Sequence, residues 1–421
     1  SYLNNDGIME DTRFRRYGLS LNTSYLLKTW ASIRASLIYS NSFSEEKPNS
    51  IQQFSPLGAM NHTDNVYNIR ERDINGDLKR VEWAWVNPLT PIETYELTVQ
   101  TNRTIASIGL DLKPLPGLKV TAGAGLDTYG QEGNAYQARI PYLGVPAGLF
   151  PDGYVSASKQ QYQQWTVDFI ASYELDIGKQ FSSVTSAGFN GQYIRTSYQA
   201  QEGRDLLADI RTVSAAQNTF NPAVDNRSEQ TIWGYFLQQT FDYRKLLYLT
   251  LAGRVDGSST FGSETGTVFY PKAGLSFSAS DLTFWQRSRI RDFINTLHLR
   301  ASYGKAGNLT GLGPYDRYTN LFPFIYYSGV GGLRTSNQQG NESIRPEIKS
   351  EWEAGADMDL LRGRLYTKFT VFKQRVTDII IPFQQAPSLG FPVRLDNLGT
   401  MENRGFEIML GGTPVRTSKL S

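Results

Sequence analysis

Alternation of apolar and polar side chains with a period of two runs through the chain. From Thr29, one set reads Thr29, Ala31, Ile33, Ala35, Leu37 and Tyr39, and the interleaved set Trp30, Ser32, Arg34, Ser36, Ile38 and Ser40. Trp165, Val167, Phe169, Ala171, Tyr173 and Leu175 alternate with Thr166, Asp168, Ile170, Ser172, Glu174 and Asp176. Leu297, Leu299, Ala301 and Tyr303 interleave with His298, Arg300, Ser302 and Gly304; Trp352, Ala354, Ala356 and Met358 interleave with Glu353, Gly355 and Asp357. Side chains along a strand point to opposite faces in turn, so each segment predicts a strand with one apolar and one polar face. About thirteen such segments occur, beginning near Phe14, Thr29, Arg103, Leu118, Tyr162, Phe181, Thr231, Leu246, Val268, Thr296, Glu347, Leu365 and Met401. Many exceed the five or six residues usual in soluble sheets. The fold class is all-β.

The connections between these segments carry as much information. Short turns are expected at 26–29, 112–118, 176–180, 242–245 and 361–364, with 281–295 a longer member of the same set. Long polar segments are expected at 41–100, 130–161, 199–228, 256–267, 305–346 and 382–400. Because the two kinds alternate strictly, short turns collect at one end of the sheet and long loops at the other, the layout of an antiparallel transmembrane β-barrel. A soluble sandwich or propeller would rarely need such long strands, and a loop of about 60 residues is uncommon in a compact soluble domain.

Composition narrows the function classes. Lys and Arg number 42 against 40 Asp and Glu, a net charge of +2, which gives no concentrated basic face for nucleic acid. The absence of cysteine removes thiolate ligands, disulfides and cysteine nucleophiles. His62 and His298, the two histidines, lie far apart, which argues against a multi-histidine metal centre. No apolar run approaches the length of a membrane helix, and mean hydropathy is −0.39. A barrel accommodates that value because its lumen face is polar, while 24 Tyr and 7 Trp suit interfacial girdles. Thirteen strands is an odd number, whereas single-chain bacterial barrels have even counts; the chain is therefore expected to be an internal piece of a larger barrel.

Six stretches resemble the SusC/RagA-like TonB-dependent outer-membrane transporters of Bacteroidetes-type bacteria. They are YLNNDGIMEDTRFRRYGLSLN (2–22), LAGRVDGSSTFG (251–262), YPKAGLSFSAS (270–280), LHLRASYGKAGN (297–308), RPEIKSEWEAGADM (345–358) and NLGTMENRGFEIML (397–410). The resemblance implies that residues 1–421 are a partial domain from a 22-stranded barrel. It also implies import of oligosaccharides or peptides, a SusD-like surface lipoprotein over the extracellular mouth, and energy from the TonB complex. The family's plug domain, TonB box and last strands are expected to lie outside these residues. A siderophore or cobalamin receptor is the alternative within TonB-dependent transport. A soluble or surface-exposed all-β carbohydrate-binding protein is the alternative outside it.

Enzyme chemistry finds little support. Glu351 and Glu353 stand two apart, about 7 Å, within the window of an inverting glycosidase pair, but Asp357 and Asp359 share their face and all four suit a lumen wall. The run Asp73-Ile74-Asn75-Gly76-Asp77 lacks the Gly and Glu spacing of a calcium loop and reads as an Asn-Gly turn. Gly123 and Gly125 sit in a strand with no helix following, so they do not form a nucleotide fingerprint. No catalytic residue and no cofactor are expected. The candidate binding residues are aromatics in the long loops: Trp83 and Trp85 in the first, and Tyr315, Tyr318, Phe322, Phe324, Tyr326 and Tyr327 in the loop at 305–346. Their rings suit sugars or peptides, contact with the lipoprotein, or the upper girdle.

Overall fold

The structure, a computed structural model, describes residues 1–49, 54–81, 86–140, 150–219, 224–309, 311–325 and 331–413. Thirteen long strands form its frame. The first seven are not consecutive in length: a five-residue strand, β1 (Tyr2–Asp6), lies along the outer edge of β2 (Arg13–Lys28). There follow β3 (Ala31–Glu46), β4 (Tyr95–Leu115), β5 (Leu118–Gln137), β6 (Tyr154–Ile177) and β7 (Phe181–Leu206). A four-residue strand, β8 (Ala216–Thr219), pairs with the end of β7. Next come β9 (Val224–Tyr243), β10 (Leu247–Ser258), β11 (Thr267–Ser278) and β12 (Ile294–Asn308). Three short strands follow in one loop: β13 (Leu321–Ile325) and β14 (Gly331–Thr335), which pair as a separate hairpin, and β15 (Gln338–Gln339). The frame ends with β16 (Glu347–Leu360), β17 (Leu365–Gln384) and β18 (Val393–Gly412). Each long strand pairs antiparallel with the next in one sheet, from β2 to β18, and the two edge strands do not pair with each other. This is a partial antiparallel barrel.

Register aligns the alternating positions of separate strands onto common faces. Ile33, Leu110, Ala122, Phe169, Phe189, Tyr235, Val255 and Phe269 stand opposite one another across eight strands. One residue along, the row reads Arg34, Gly109, Gly123, Asp168, Asn190, Gly234 and Asp256. The apolar row begins near the short-turn end of β3 and reaches the loop end of β11, so the rows are sheared, as strand tilt in a barrel requires. A cavity of about 610 Å³ lies against the polar row, bounded by Arg34, Gly123, Thr166 and Asp168, which makes the polar face the concave one. The apolar face is left uncovered, with Trp352 62% and Phe406 69% exposed. On β6 the outward apolar run from Trp165 to Ile177 spans about 40 Å along the strand, or roughly 30 Å at a tilt near 40°, the thickness of a hydrocarbon core.

Several expected loops are shorter than the sequence pattern suggests. Residues 130–137 and 154–161 continue β5 and β6 as a paired hairpin, and 199–206 and 224–228 continue β7 and β9. Strand β4 starts at Tyr95 rather than Arg103, and β18 at Val393 rather than Met401. The physical reason lies on the outward face, which changes there to Glu132, Gln161, Lys159, Arg195 and Glu229. Beyond the apolar band the backbone ladder persists, but nothing there requires apolar alternation. The first loop, 47–94, holds two short helices, α1 (Pro56–Asn61) and α2 (Thr90–Thr94).

At the opposite end the turns are tight. Arg244 and Lys245 adopt φ of 55° and 57°, and Leu361 and Arg362 adopt 55° and 60°, the left-handed central pair of tight turns closed by the Leu246 amide on the Tyr243 carbonyl and the Gly363 amide on the Leu360 carbonyl. In the turn between β4 and β5, Gly117 has φ 79°, and a Cβ there would overlap the Glu174 carbonyl. The β11–β12 connection contains α3 (Thr283–Arg287) and α4 (Ile290–Phe293).

Candidate functional site

The loop end of the sheet is built by strands that project beyond the apolar band and then pack on one another. Tyr136 at the end of β5, Val155 at the start of β6 and Leu206 at the end of β7 form a buried cluster, covered by Ala138, Val213 and Ala216. A second cluster joins Phe54, Ala59 and Val86 of the first loop to Ile140 of the next, against Tyr95. Between them, Arg211 reaches across from the β7–β9 loop to Glu96 at the base of β4, with Nε donating to Oε2 at 2.8 Å and Nη2 to Oε1 at 2.5 Å. Its guanidinium also stacks on Tyr136, 4.6 Å from the ring centre. One side chain thus ties the β7–β9 loop to the loop-side ends of β4 and β5.

Glu96 stands beyond the outward apolar band, and the hydrogen bond from Arg211 holds its carboxyl below the usual carboxylate range. A depressed folded-state pKa means the clamp contributes fully above the ordinary carboxylate value, and its contribution is lost as pH falls through the lower, folded one. Both groups are about half exposed, so the contribution is about 1 kcal/mol or less. Limited proteolysis should accordingly cut the 207–223 loop faster below about pH 4 than at pH 7. Arg211→Ala should cut equally fast at both; retained pH dependence in that variant would show that another carboxylate is responsible.

The 309–346 loop is anchored to its neighbours. The Gly262 amide donates to the Ile344 carbonyl at 2.7 Å, and Arg317 Nη1 to the Phe261 carbonyl at 2.9 Å. Asn341 Nδ2 donates to the Leu395 carbonyl and Asn397 Nδ2 to the Arg345 carbonyl, at 2.9 and 2.8 Å. Phe261, Leu312 and Ile344 are buried beneath it. Within that frame Tyr315, Tyr318 and Phe322 remain exposed, Arg317 stacks on the Tyr318 ring, and the Tyr315 hydroxyl accepts from the Glu229 amide of β9 at 3.2 Å. The loop therefore leaves these three rings exposed above a pinned base. Phe324 belongs to β13. Trp83, Trp85, Tyr326 and Tyr327 lie outside the described residues.

The concave wall carries paired charges. Arg34 bonds Asp111 at 2.6 and 3.2 Å, and Arg103 bonds Asp127 at 2.9 and 2.6 Å. Arg300 reaches Glu353 at 2.6 Å, Thr370 at 2.5 Å and Asp357 at 3.6 Å. Glu353 is thus held by Arg300, and Glu351 by Lys349 at 3.0 Å, so the two carboxylates belong to separate ion pairs, as a lumen wall requires. His298 Nδ1 shares a hydrogen bond with Ser278 at 3.0 Å. Asp73 accepts from the amides of Asn75 and Asp77 and closes a turn with Gly76 at φ 88°, as the Asn-Gly reading expects. Among the described residues no cluster of three or more His, Cys, Asp or Glu could hold a metal.

Sequence reasoning missed the Arg211–Glu96–Tyr136 clamp and the wall pairs. Arg211 and Glu96 are 115 residues apart, and Arg34 and Asp111 are 77 apart. Neither pairing leaves a local mark; only knowledge of the register could have joined them.

Comparison with known proteins fits this architecture. A family model described as "TonB dependent receptor-like, beta-barrel" matches residues 58–417. TonB-dependent receptor P26 of Formosa agariphila is 23% identical over 436 residues, covering all of this chain and 42% of the relative. TonB-dependent receptor SusC of Bacteroides thetaiotaomicron is 22% identical over 349 residues, covering 79% of this chain and 33% of the relative. The chain thus spans less than half the length of these relatives. Among solved structures, the RagAB peptide transporter superposes with a TM-score of 0.84 at 19% identity, over 99% of this chain and 46% of that one. The ferric citrate transporter FecA gives 0.53 at 12% identity, over 97% and 50%. With a matching family model over most of its length, an open sheet of membrane-length strands and long loops confined to one end, the chain belongs to the TonB-dependent receptor-like β-barrel family.

Proposed function

We propose that the chain is part of the barrel of an outer-membrane importer for oligosaccharides or peptides. It works with a SusD-like surface lipoprotein and draws energy from the TonB complex. The loop end carries the reading: Tyr315, Tyr318 and Phe322 are exposed on a loop whose base is pinned to the loops on either side. Rigid aromatic faces offer apolar area with a polar handle, which suits sugar rings and peptide side chains alike. The higher structural similarity to a peptide transporter than to a ferric citrate transporter favours this class over a siderophore receptor.

Binding to the full-length protein tests the reading. Tyr315→Ala together with Tyr318→Ala should weaken an oligosaccharide or peptide ligand by about ten-fold, since each aromatic contact contributes roughly 0.5–1.5 kcal/mol. Titration of a mixed oligosaccharide pool and of a peptide pool identifies the substrate class. Unchanged affinity and unchanged uptake in the double variant would remove these rings from the substrate path. A heat-modifiable band in the outer-membrane fraction is the expected location result; recovery in the soluble fraction would reject the importer altogether.

A further inference from the structure

The short-turn rim is strongly cationic. The connections at 178–180, 244–246, 279–293 and 361–364 hold eight Lys and Arg against two aspartates, Asp281 and Asp292, in a chain whose net charge is +2. Every one of these connections contributes at least one cation, and all eight are exposed. At the loop end, by contrast, cations are matched with carboxylates, as in Arg211–Glu96, Arg72–Glu93, Lys79–Glu71 and Arg345–Asp378. Among the described residues Arg362 is the single rim cation with an ion pair, 3.8 Å from Asp292 across exposed space.

Two further observations place these cations at a lipid surface. Apolar side chains of the outward face end beside them: Ile177 near Lys179, and Tyr243 beside Arg244. In the 279–293 connection, exposed Phe284, Ile290 and Phe293 lie among Arg287, Arg289 and Arg291. Lys and Arg at such a boundary lay their stems on apolar surface and lift their charge to the headgroups. The Arg244–Lys245 and Leu361–Arg362 turns also place non-glycine residues at positive φ, where Asn-Gly would fit without strain. Cations are therefore kept at positions where backbone geometry favours other residues.

We propose that this rim binds the anionic phospholipid headgroups of the leaflet on the short-turn side. The cations form an arc along the sheet, each next to an apolar anchor, so the ligand is a surface of phosphates rather than one enclosed ion. The arc fixes the depth and tilt of the barrel in the membrane. This rests on the barrel reading above, and the experiment separates the two.

The full-length protein is first inserted into phosphatidylcholine vesicles, where a heat-modifiable band reports a folded barrel. Association of labelled phosphatidylglycerol over labelled phosphatidylcholine is then measured. The expected result is a preference for phosphatidylglycerol that shrinks at high salt and falls on the order of five-fold per charge removed in Arg244→Gln, Lys245→Gln and Arg362→Gln. Arg244→Lys with Arg362→Lys, which keep the charge, should keep the preference. A folded barrel with equal association of both lipids, or a preference unchanged in the neutral variant, would overturn the proposal. So would loss of preference in the Lys variant. Failure to insert into phosphatidylcholine at all would instead overturn the barrel reading.

Discussion

Arginine in place of Phe169 should sharply lower recovery of a folded barrel, whereas arginine in place of Ile170 should leave it nearly unchanged. The two positions are adjacent on β6 and similarly exposed, at 45% and 40%. They differ in the face they occupy. Phe169 stands in the apolar row between Ala122 and Phe189, near the middle of the outward band. Ile170 stands between Thr121 and Gly188 on the concave side. A lipid-facing arginine near the midplane costs about 2–4 kcal/mol, while a lumen-facing one stays in water. That cost is a large fraction of the roughly 5–15 kcal/mol that stabilises a folded domain. Folded fraction after refolding into vesicles, read from the heat-modifiable band, distinguishes them. Equal yields would mean that the apolar face does not meet lipid, and the membrane reading would be lost with it.

The strand frame was legible because lipid imposes a rule on every second residue. Along Trp165 to Ile177 the outward side chains must be apolar and the inward ones need not be, so the period survives in the sequence. Where the same strand leaves the lipid, Gln161 and Lys159 face outward and the rule lapses, although the ladder to Gly130 and Glu132 continues unbroken. Sequence reading therefore ended the strands where the membrane ends. Turn positions were legible for a related reason: tight reversals need residues such as Gly117 and Gly178, both at positive φ. The loop architecture was not. Aromatic composition singled out Tyr315, Tyr318 and Phe322, but the anchors that fix them, Ile344 beneath and Asn341 to Leu395, depend on contacts between separate loops. Short strands such as β13 and β14 carry no alternation long enough to register against the surrounding polar sequence.

The wall pairs reveal a second constraint that single positions hide. Guanidiniums on the concave face lie across a neighbouring strand, and a glycine beneath leaves them room. Arg34 lies over Gly109, where a Cβ would make ordinary contact at 3.4 Å, and Arg300 lies over Gly355, where a Cβ would come within 2.8 Å of Nη2. Glycines scattered through apparent strands are unfavourable for strand formation taken alone. Here they make room for inward ion pairs that keep the wall smooth and charge-balanced.

Gly234 gives the sharpest test of this principle. It lies on the concave face of β9, opposite Asp256 of β10, and Arg254 sits two residues from Asp256 on the same face. Arg254 Nε and Asp256 Oδ1 pair at 2.5 Å, and a Cβ on Gly234 would overlap both Asp256 Oδ1 and the Arg254 guanidinium. Valine would add two further methyl groups to that overlap. The pair would have to shift, and because both partners are ends of flexible, partly exposed side chains the cost is about 1 kcal/mol or less. Gly274, on the concave face of β11, has no atom within 4 Å of where a Cβ would stand. Alanine there removes backbone freedom from the unfolded chain without meeting a neighbour, and should stabilise by about 0.4–1 kcal/mol. Urea unfolding of the refolded full-length protein should therefore show Gly234→Val with a lowered midpoint and Gly274→Ala with an unchanged or raised one. A midpoint lowered equally in both would mean that glycine serves the strands' backbone geometry, and not the side chains that cross above it.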